Sequence, residues 1–181
     1  DINNLADLRG RKHQSKRNHF NRFMADHPDL QVLSMSQDLV PKAKTFVENW
    51  YARRRETDPQ GDYLLENVAL ARAFNHCCEL GMEGIALMDA GEILAISIGS
   101  RMSEDTFDIH FEKALDYADG AYPAIAQTFA AHLRSKYTDL QYLNREEDMG
   151  IPGLRQSKLS YFPHHLVVKF WARLWEDDDE D

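Results

Sequence analysis

Between Leu143 and Tyr161 the sequence sets Asn144, Arg145, Glu146, Glu147 and Asp148 before a turn, Gly150-Ile151-Pro152-Gly153, and then Arg155, Lys158 and Tyr161. Acyl transfer needs a base for the attacking group, donors for a developing oxyanion and an acid for the leaving group. Glu147 and Asp148 are the candidate proton handlers or ammonium contacts. Asn144, Arg145, Arg155 and Lys158 are candidate contacts for an anionic part of a substrate, and Lys158 and Tyr161 candidate donors to a departing oxygen. The same residues also suit a solvated loop whose Arg and Glu pair with each other, so spacing alone leaves both readings open. A second group lies upstream: Thr106 to Ala114 alternates, with Phe107, Ile109 and Phe111 on one face and Asp108, His110 and Glu112 on the other. His110 and Glu112 are candidates to line a cleft opposite the charged connection.

The elements that must position these groups follow from periodicity. Leu5 to Ala25 reads as one helix carrying Arg11, Lys12, Lys16 and Arg17, stopped by His27-Pro28. Leu30 to Met35 is a short strand. Asp38 caps a helix with an apolar stripe from Leu39 to Tyr51, which dissolves at Arg53-Arg54-Arg55. Asp62 caps another that turns Leu64, Leu65, Val68, Ala71, Phe74 and Cys78 inward and ends at Gly81. Three strands follow, Gly84–Asp89, Ile93–Met102 and Thr106–Ala114, the first two joined by a compact turn at Asp89-Ala90-Gly91-Glu92. A helix with stripe Tyr122, Ile125, Phe129, Leu133 and Tyr137 leads to a strand from Leu140 to Asn144. A short helix near 153–158 and a last strand, His164 to Ala172, complete the order β-α-α-β-β-β-α-β-α-β. The expected class is α/β (α+β): a mixed, mostly antiparallel sheet whose one parallel pair joins the strands around His110 and Tyr142, with helices on both faces.

Composition bounds the rest. The 181 residues suffice for one core, and 43% apolar with 28% charged residues is ordinary for a globular chain. No run is long enough to cross a bilayer and no signal peptide is visible. The only cysteines, Cys77 and Cys78, are adjacent, which fits a reducing cytoplasm; with His76 they match no zinc spacing, and no metal site is expected. The net charge of −9 is uneven, because residues 176–181 are all acidic while Arg9 to Arg22 contains no acid. Three units are expected: a basic helical segment, 1–27; a main domain, 28–173; and an acidic, disordered tail, 174–181. The basic face of the first is either solvated or a surface for phosphates of a nucleic acid, nucleotide or lipid headgroup. No nucleophile elbow, Walker loop, dinucleotide fingerprint or His-Glu-x-x-His motif is present.

The element order resembles the GNAT (acetyltransferase-like) fold, in which the two parallel strands splay and the acyl donor enters between them. A closer resemblance is carried by Arg9 to Phe23, by His110-Phe111-Glu112-Lys113-Ala114 and by Asn144 to Tyr161, all in one order. These words are similar to the phosphatidylglycerol lysyltransferase C-terminal-like family. The resemblance implies a GNAT-like transferase, in its best-understood branch moving an aminoacyl group from an aminoacyl-tRNA to a lipid headgroup, after membrane-spanning helices. It also implies that this chain corresponds to the second of two GNAT-like halves, with an upstream half as partner. Coenzyme A enzymes usually hold pyrophosphate on a glycine-rich loop before a helix; here that loop carries Asp116, Asp119 and a single glycine, Gly120, which argues against coenzyme A. The non-enzymatic alternative is a binding module that recognises tRNA, a nucleotide or a protein partner.

Overall fold

The computed structural model describes residues 1–59, 61, 63–170 and 172–173. Its elements are α1 (Ile2–Asp7), a 3-10 turn (Arg11–His13), α2 (Gln14–Asp26), β1 (Gln31–Ser34), α3 (Val40–Thr57), α4 (Leu64–His76), β2 (Met82–Asp89), β3 (Glu92–Arg101), β4 (Thr106–Ala114), α5 (Ala121–Lys136), β5 (Tyr142–Asn144) and α6 (Pro152–Leu159). The five strands form one sheet in sequence order, antiparallel except for β4 and β5, which run parallel. This is the expected mixed sheet with its single parallel pair.

Both faces of the centre are covered. Residues 93–99 of β3 are buried without a break, as in a strand packed on two sides. One layer is α3, which touches β3, β4 and α4; the other is α5, which lies on β2, β3 and β4 with α1 and α2 against it. Ile125, Phe129 and Leu133, the stripe expected to face inward on α5, are fully buried, and the Phe129 ring meets Phe107 edge to face. Ile2, Leu5, Ala6 and Phe23 belong to the same core, so the N-terminal segment packs with the sheet.

Four local expectations are corrected. The first helix is broken: Leu8 (φ 48) and Gly10 (φ 83) are left-handed, and the Arg17 guanidinium donates to both their carbonyls, at 2.5 and 3.2 Å. α3 continues through the three arginines to Thr57, and its first turn rests on Pro41 with no side-chain cap from Asp38. On α4 the inward face is Leu70, Ala73 and Phe74, whereas Leu64, Leu65 and Val68 are exposed; the expected cap Asp62 lies outside the described residues. Residues 164–170 form no strand, and Leu166, Val167, Val168 and Phe170 are exposed. Among the described residues no strand pairs with this segment, and an unpaired strand cannot offset its ordering entropy. Trp171 and the acidic tail lie outside the described residues.

His13 is buried, edge-on to Phe162 at 5.6 Å, with neither ring nitrogen partnered among the described residues. Burial, with Lys12 and Arg17 nearby, lowers its pKa. A group that resists protonation only when folded costs nothing above its unfolded pKa and destabilises progressively as pH falls through about 6.5. His13→Leu is therefore expected to flatten the acid side of the stability curve, wild type losing up to about 1.4 kcal/mol per pH unit more than the variant below pH 6.5. Urea unfolding of both proteins between pH 7.5 and 5.5 checks this.

Candidate functional site

β4 and β5 pair only at Thr106–Tyr142, Phe107–Leu143 and Asp108–Asn144. Past that point β4 runs on to Ala114 while β5 ends, so among the described residues the edge of 109–114 facing β5 has no strand opposite. A sheet edge presents main-chain donors and acceptors. At the same place β4 bulges: Ile98 pairs with Phe111 and Gly99 with Ile109, leaving His110 as the extra residue. Gly99 is required there, because a Cβ would stand 2.0 Å from the Asp108 carbonyl oxygen and 2.6 Å from the Phe107 ring.

The bulge resets the alternation. Lys113, expected on the Phe107 and Ile109 face, instead reaches Glu66 at 2.7 Å and lies over the Trp50 and Tyr51 rings. Glu112 correspondingly leaves Asp108 and His110, and accepts from Arg145 at 2.7 Å. The single polar face expected for Asp108, His110 and Glu112 is thus two clusters, one on each side of β4.

In the first cluster, the Ser100 hydroxyl on β3 is 2.8 Å from His110 Nε2, and His110 Nδ1 is 3.1 Å from Glu146 Oε1 and 3.8 Å from Asp108 Oδ2. Asn144 places Glu146: its side-chain oxygen accepts from the Glu146 N–H at 3.1 Å, and Glu146 takes a left-handed φ of 52°. The hydrogen bond to Glu146 raises the His110 pKa above its ordinary value, and the same bond lowers that of Glu146. Burial, then the Glu146 charge, raises Asp108. The ligand atoms of Asp108, His110 and Glu146 lie within 4.8 Å of one another, so this set could hold a divalent cation, with Ser100 orienting the imidazole from behind. No metal site was expected from the sequence, in which Glu146 lies 36 residues from His110.

In the second cluster, Arg145 lies over the Tyr161 ring at 4.8 Å, and Lys16 of α2 faces the same ring at 4.4 Å. Burial pushes Tyr161 up to about 12. Arg145 Nη1, Glu112 Oε2 and, in the first cluster, Asp108 Oδ1 are buried without a hydrogen-bond partner among the described residues. Such atoms are spare donors and acceptors beside the parted strands.

The other expected residues make the following contacts. Asp148 accepts from Arg155 at 2.5 and 3.1 Å and from the Gly150 N–H at 2.9 Å; the Arg155 bond holds its pKa down to about 2, which makes it a weak base. Glu147 is exposed, 3.9 Å from Lys169. Lys158 donates to the carbonyls of Arg145, Glu146 and Glu147 at 2.5, 3.2 and 2.6 Å, so its three protons tie the loop shut. Of the basic residues, Arg17 is spent on the α1 turn, while Arg11 and Lys12 are exposed and border an open depression with Gln14, Ser15, Asn18, His19 and Arg22. Sequence reasoning passed over Ser100 and Glu146. The antiparallel register of β3 and β4, which sets Ser100 opposite Asp108, was the available signal for the serine; nothing in three successive acids marked Glu146 as the one that reaches His110.

A mixed sheet with one parted parallel pair defines a GNAT-like fold. A possible acetyltransferase from Clostridium difficile superposes with a TM-score of 0.57 over 81% of this chain and 98% of its own, at 8% identity. The chain belongs to the family described as phosphatidylglycerol lysyltransferase, C-terminal, whose model matches residues 1–173. It is also similar to a conserved protein of unknown function from Bacteroides thetaiotaomicron, 37% identical with a TM-score of 0.83 over 91% of this chain. The C-terminal domain of a putative lysylphosphatidylglycerol synthetase from Agrobacterium fabrum is 16% identical, with a TM-score of 0.59 over 90% of this chain. The chain spans about half of each of these two structures, 54% in both cases. No match is found among the curated proteins. No helix among the described residues is long and apolar enough to cross a membrane.

Removing one partner of the Glu112–Arg145 pair strands a buried charge. Arg145→Met is expected to cost about 3 kcal/mol, and the double variant Glu112→Leu/Arg145→Met to recover at least half of it. Denaturant unfolding of the two singles and the double measures this, and additive losses would show that the two side chains act independently.

Proposed function

We propose that this chain is the acyl-transferring part of a GNAT-like transferase, with the acyl donor seated where β4 and β5 part and His110, held by Glu146, acting as the base. The observation that carries the reading is the parted edge of β4 with a His–carboxylate pair and an Arg–carboxylate pair reaching across it. A candidate base and candidate anion contacts for an acyl transfer flank that edge, one on each side of β4. Main-chain N–H groups on the open edge can receive a donor carbonyl, and Arg145 with Lys16 can receive an anionic portion of donor or acceptor. Asp108, Glu146 and His110 suit an amine or hydroxyl acceptor that must lose a proton.

The family's description, and the name of the Agrobacterium fabrum relative, support lysine as the group moved and phosphatidylglycerol as one acceptor. That reading makes an aminoacyl-tRNA the donor and Arg11 and Lys12 contacts for its phosphates. Coenzyme A fits less well. The start of α5, where a helix dipole would hold pyrophosphate, is packed on α2: a Cβ on Gly120 would lie 2.6 Å from the His19 carbonyl. Asp119 there faces Arg22 at 3.1 Å, and Asp116 is exposed.

The experiment is transfer of radiolabelled lysine from lysyl-tRNA to phosphatidylglycerol vesicles or to a soluble amine, alongside binding of charged and uncharged tRNA. Tighter binding of charged tRNA with transfer supports the enzyme; equal binding without transfer supports a binding module instead. Glu146→Gln is expected to lower turnover about 10²-fold or more. Because His110 must be neutral to act as base, activity rises with pH through its raised pKa, and Glu146→Gln should move that rise to lower pH. A pH profile that Glu146→Gln leaves in place removes His110 from the mechanism.

A further inference from the structure

We infer that Ser100 is a nucleophile, activated by His110 and Glu146, and that the chain carries the acyl group on this serine between donor and acceptor. The inference rests on the acyl-transfer reading above but adds a covalent intermediate to it. Its basis is geometric. Hydroxyl, imidazole and carboxylate stand in line, Ser100 Oγ to His110 Nε2 at 2.8 Å and His110 Nδ1 to Glu146 Oε1 at 3.1 Å, with Asp108 a second carboxylate on the same nitrogen at 3.8 Å. A proton on Nδ1 bonded to carboxylate leaves Nε2 as acceptor for the serine proton, the arrangement by which a weakly acidic hydroxyl becomes reactive.

The three residues come from three separate strands or strand ends, so the set is recognisable by roles and distances and not by a local sequence word. Ser100 stands next to the last residue of β3, half-buried, opposite Asp108, the last residue of β4 that still pairs with β5. Its neighbours across the ladder are Asp108, its register partner, and the bulged His110. Without the extra residue in β4, His110 would stand in the regular alternation; the bulge re-aims the imidazole at Ser100 on one side and Glu146 on the other. Asn144 and the left-handed turn at Glu146 complete the line from the far strand.

The chemistry balances with an acyl ester donor and an amine acceptor. The Ser100 Oγ–acyl carbon bond forms as the donor's acyl C–O bond breaks. The serine proton passes to His110 Nε2 and from there to the departing alcohol oxygen. The acceptor nitrogen then attacks the acyl carbon, its proton passes through His110 to Ser100 Oγ, and free serine is restored. Main-chain N–H groups on the open edge of residues 109–114 would serve as the donors to the oxyanion.

The test needs neither natural substrate. Purified chain is treated with a fluorophosphonate, which phosphonylates activated serines, and the adduct is located by peptide mass spectrometry. One adduct per chain on Ser100 is expected, absent in Ser100→Ala, lost in His110→Gln, which keeps a hydrogen-bonding side chain, and slowed about 10²-fold in Glu146→Gln. Circular dichroism and thermal unfolding confirm that each variant is folded. No adduct on folded wild-type protein, or labelling of Ser100 that His110→Gln leaves unchanged, overturns the inference. Transfer from lysyl-tRNA that persists in Ser100→Ala also overturns it while leaving the acyl-transfer reading intact; labelling of Ser100 without any transfer keeps the activated serine but overturns its role as acyl carrier together with that reading.

Discussion

The candidate site exists because β4 and β5 part after Asp108 and Asn144 and two side-chain pairs, Glu112–Arg145 and His110–Glu146, take over where the hydrogen-bond ladder stops. A ladder is satisfied by its own backbone; a parted pair of strands is not, and must be held by something else. Glu112 and Arg145 are charged and Glu112 is largely buried, so removing Arg145 alone leaves a desolvated charge behind. The pairs bridge the parted strands, and they also put an imidazole and a guanidinium beside the space so created.

The scaffolding around that gap is asymmetric. On the β4 side everything is fixed by packing: the bulge at His110 depends on Gly99, and the strand is clamped between Phe129 of α5 and Trp50 of α3, whose indole N–H donates to the Ala114 carbonyl at 2.9 Å. On the β5 side the chain after Asn144 has little core of its own and is held by polar contacts. Lys158 gathers three successive carbonyls, Asp148 grips Arg155 and the Gly150 N–H, and Tyr161 lies between Arg145 and Lys16. A rigid wall faces a polar, hydrogen-bonded loop, which is where substrate-dependent movement costs least.

Much of this was legible in the sequence. The hairpin turn at Ala90-Gly91, the stripe Ile125, Phe129 and Leu133, and the βαβ crossover to Tyr142 specify the sheet and its one parallel pair, and they bring His110 to the charged connection. What alternation could not reveal was the extra residue at His110, since a bulge changes register without changing composition; it moved Glu112 to Arg145 and Lys113 to Glu66. Nor could spacing choose among Glu146, Glu147 and Asp148. That choice is made by the Asn144 side chain and a left-handed backbone, tertiary facts with no periodic signature. The expected last strand failed for a similar reason: residues 164–170 have strand-like side chains, but a strand also needs a partner.

The central claim is that Glu146 holds His110 in one tautomer and raises its affinity for a proton. Nitrogen-15 NMR of the imidazoles, with His110 assigned by comparison with His110→Gln, measures both directly. The account predicts a neutral His110 protonated on Nδ1, titrating above its ordinary value of about 6.5. A neutral form protonated on Nε2, or a titration at or below that value, would contradict it.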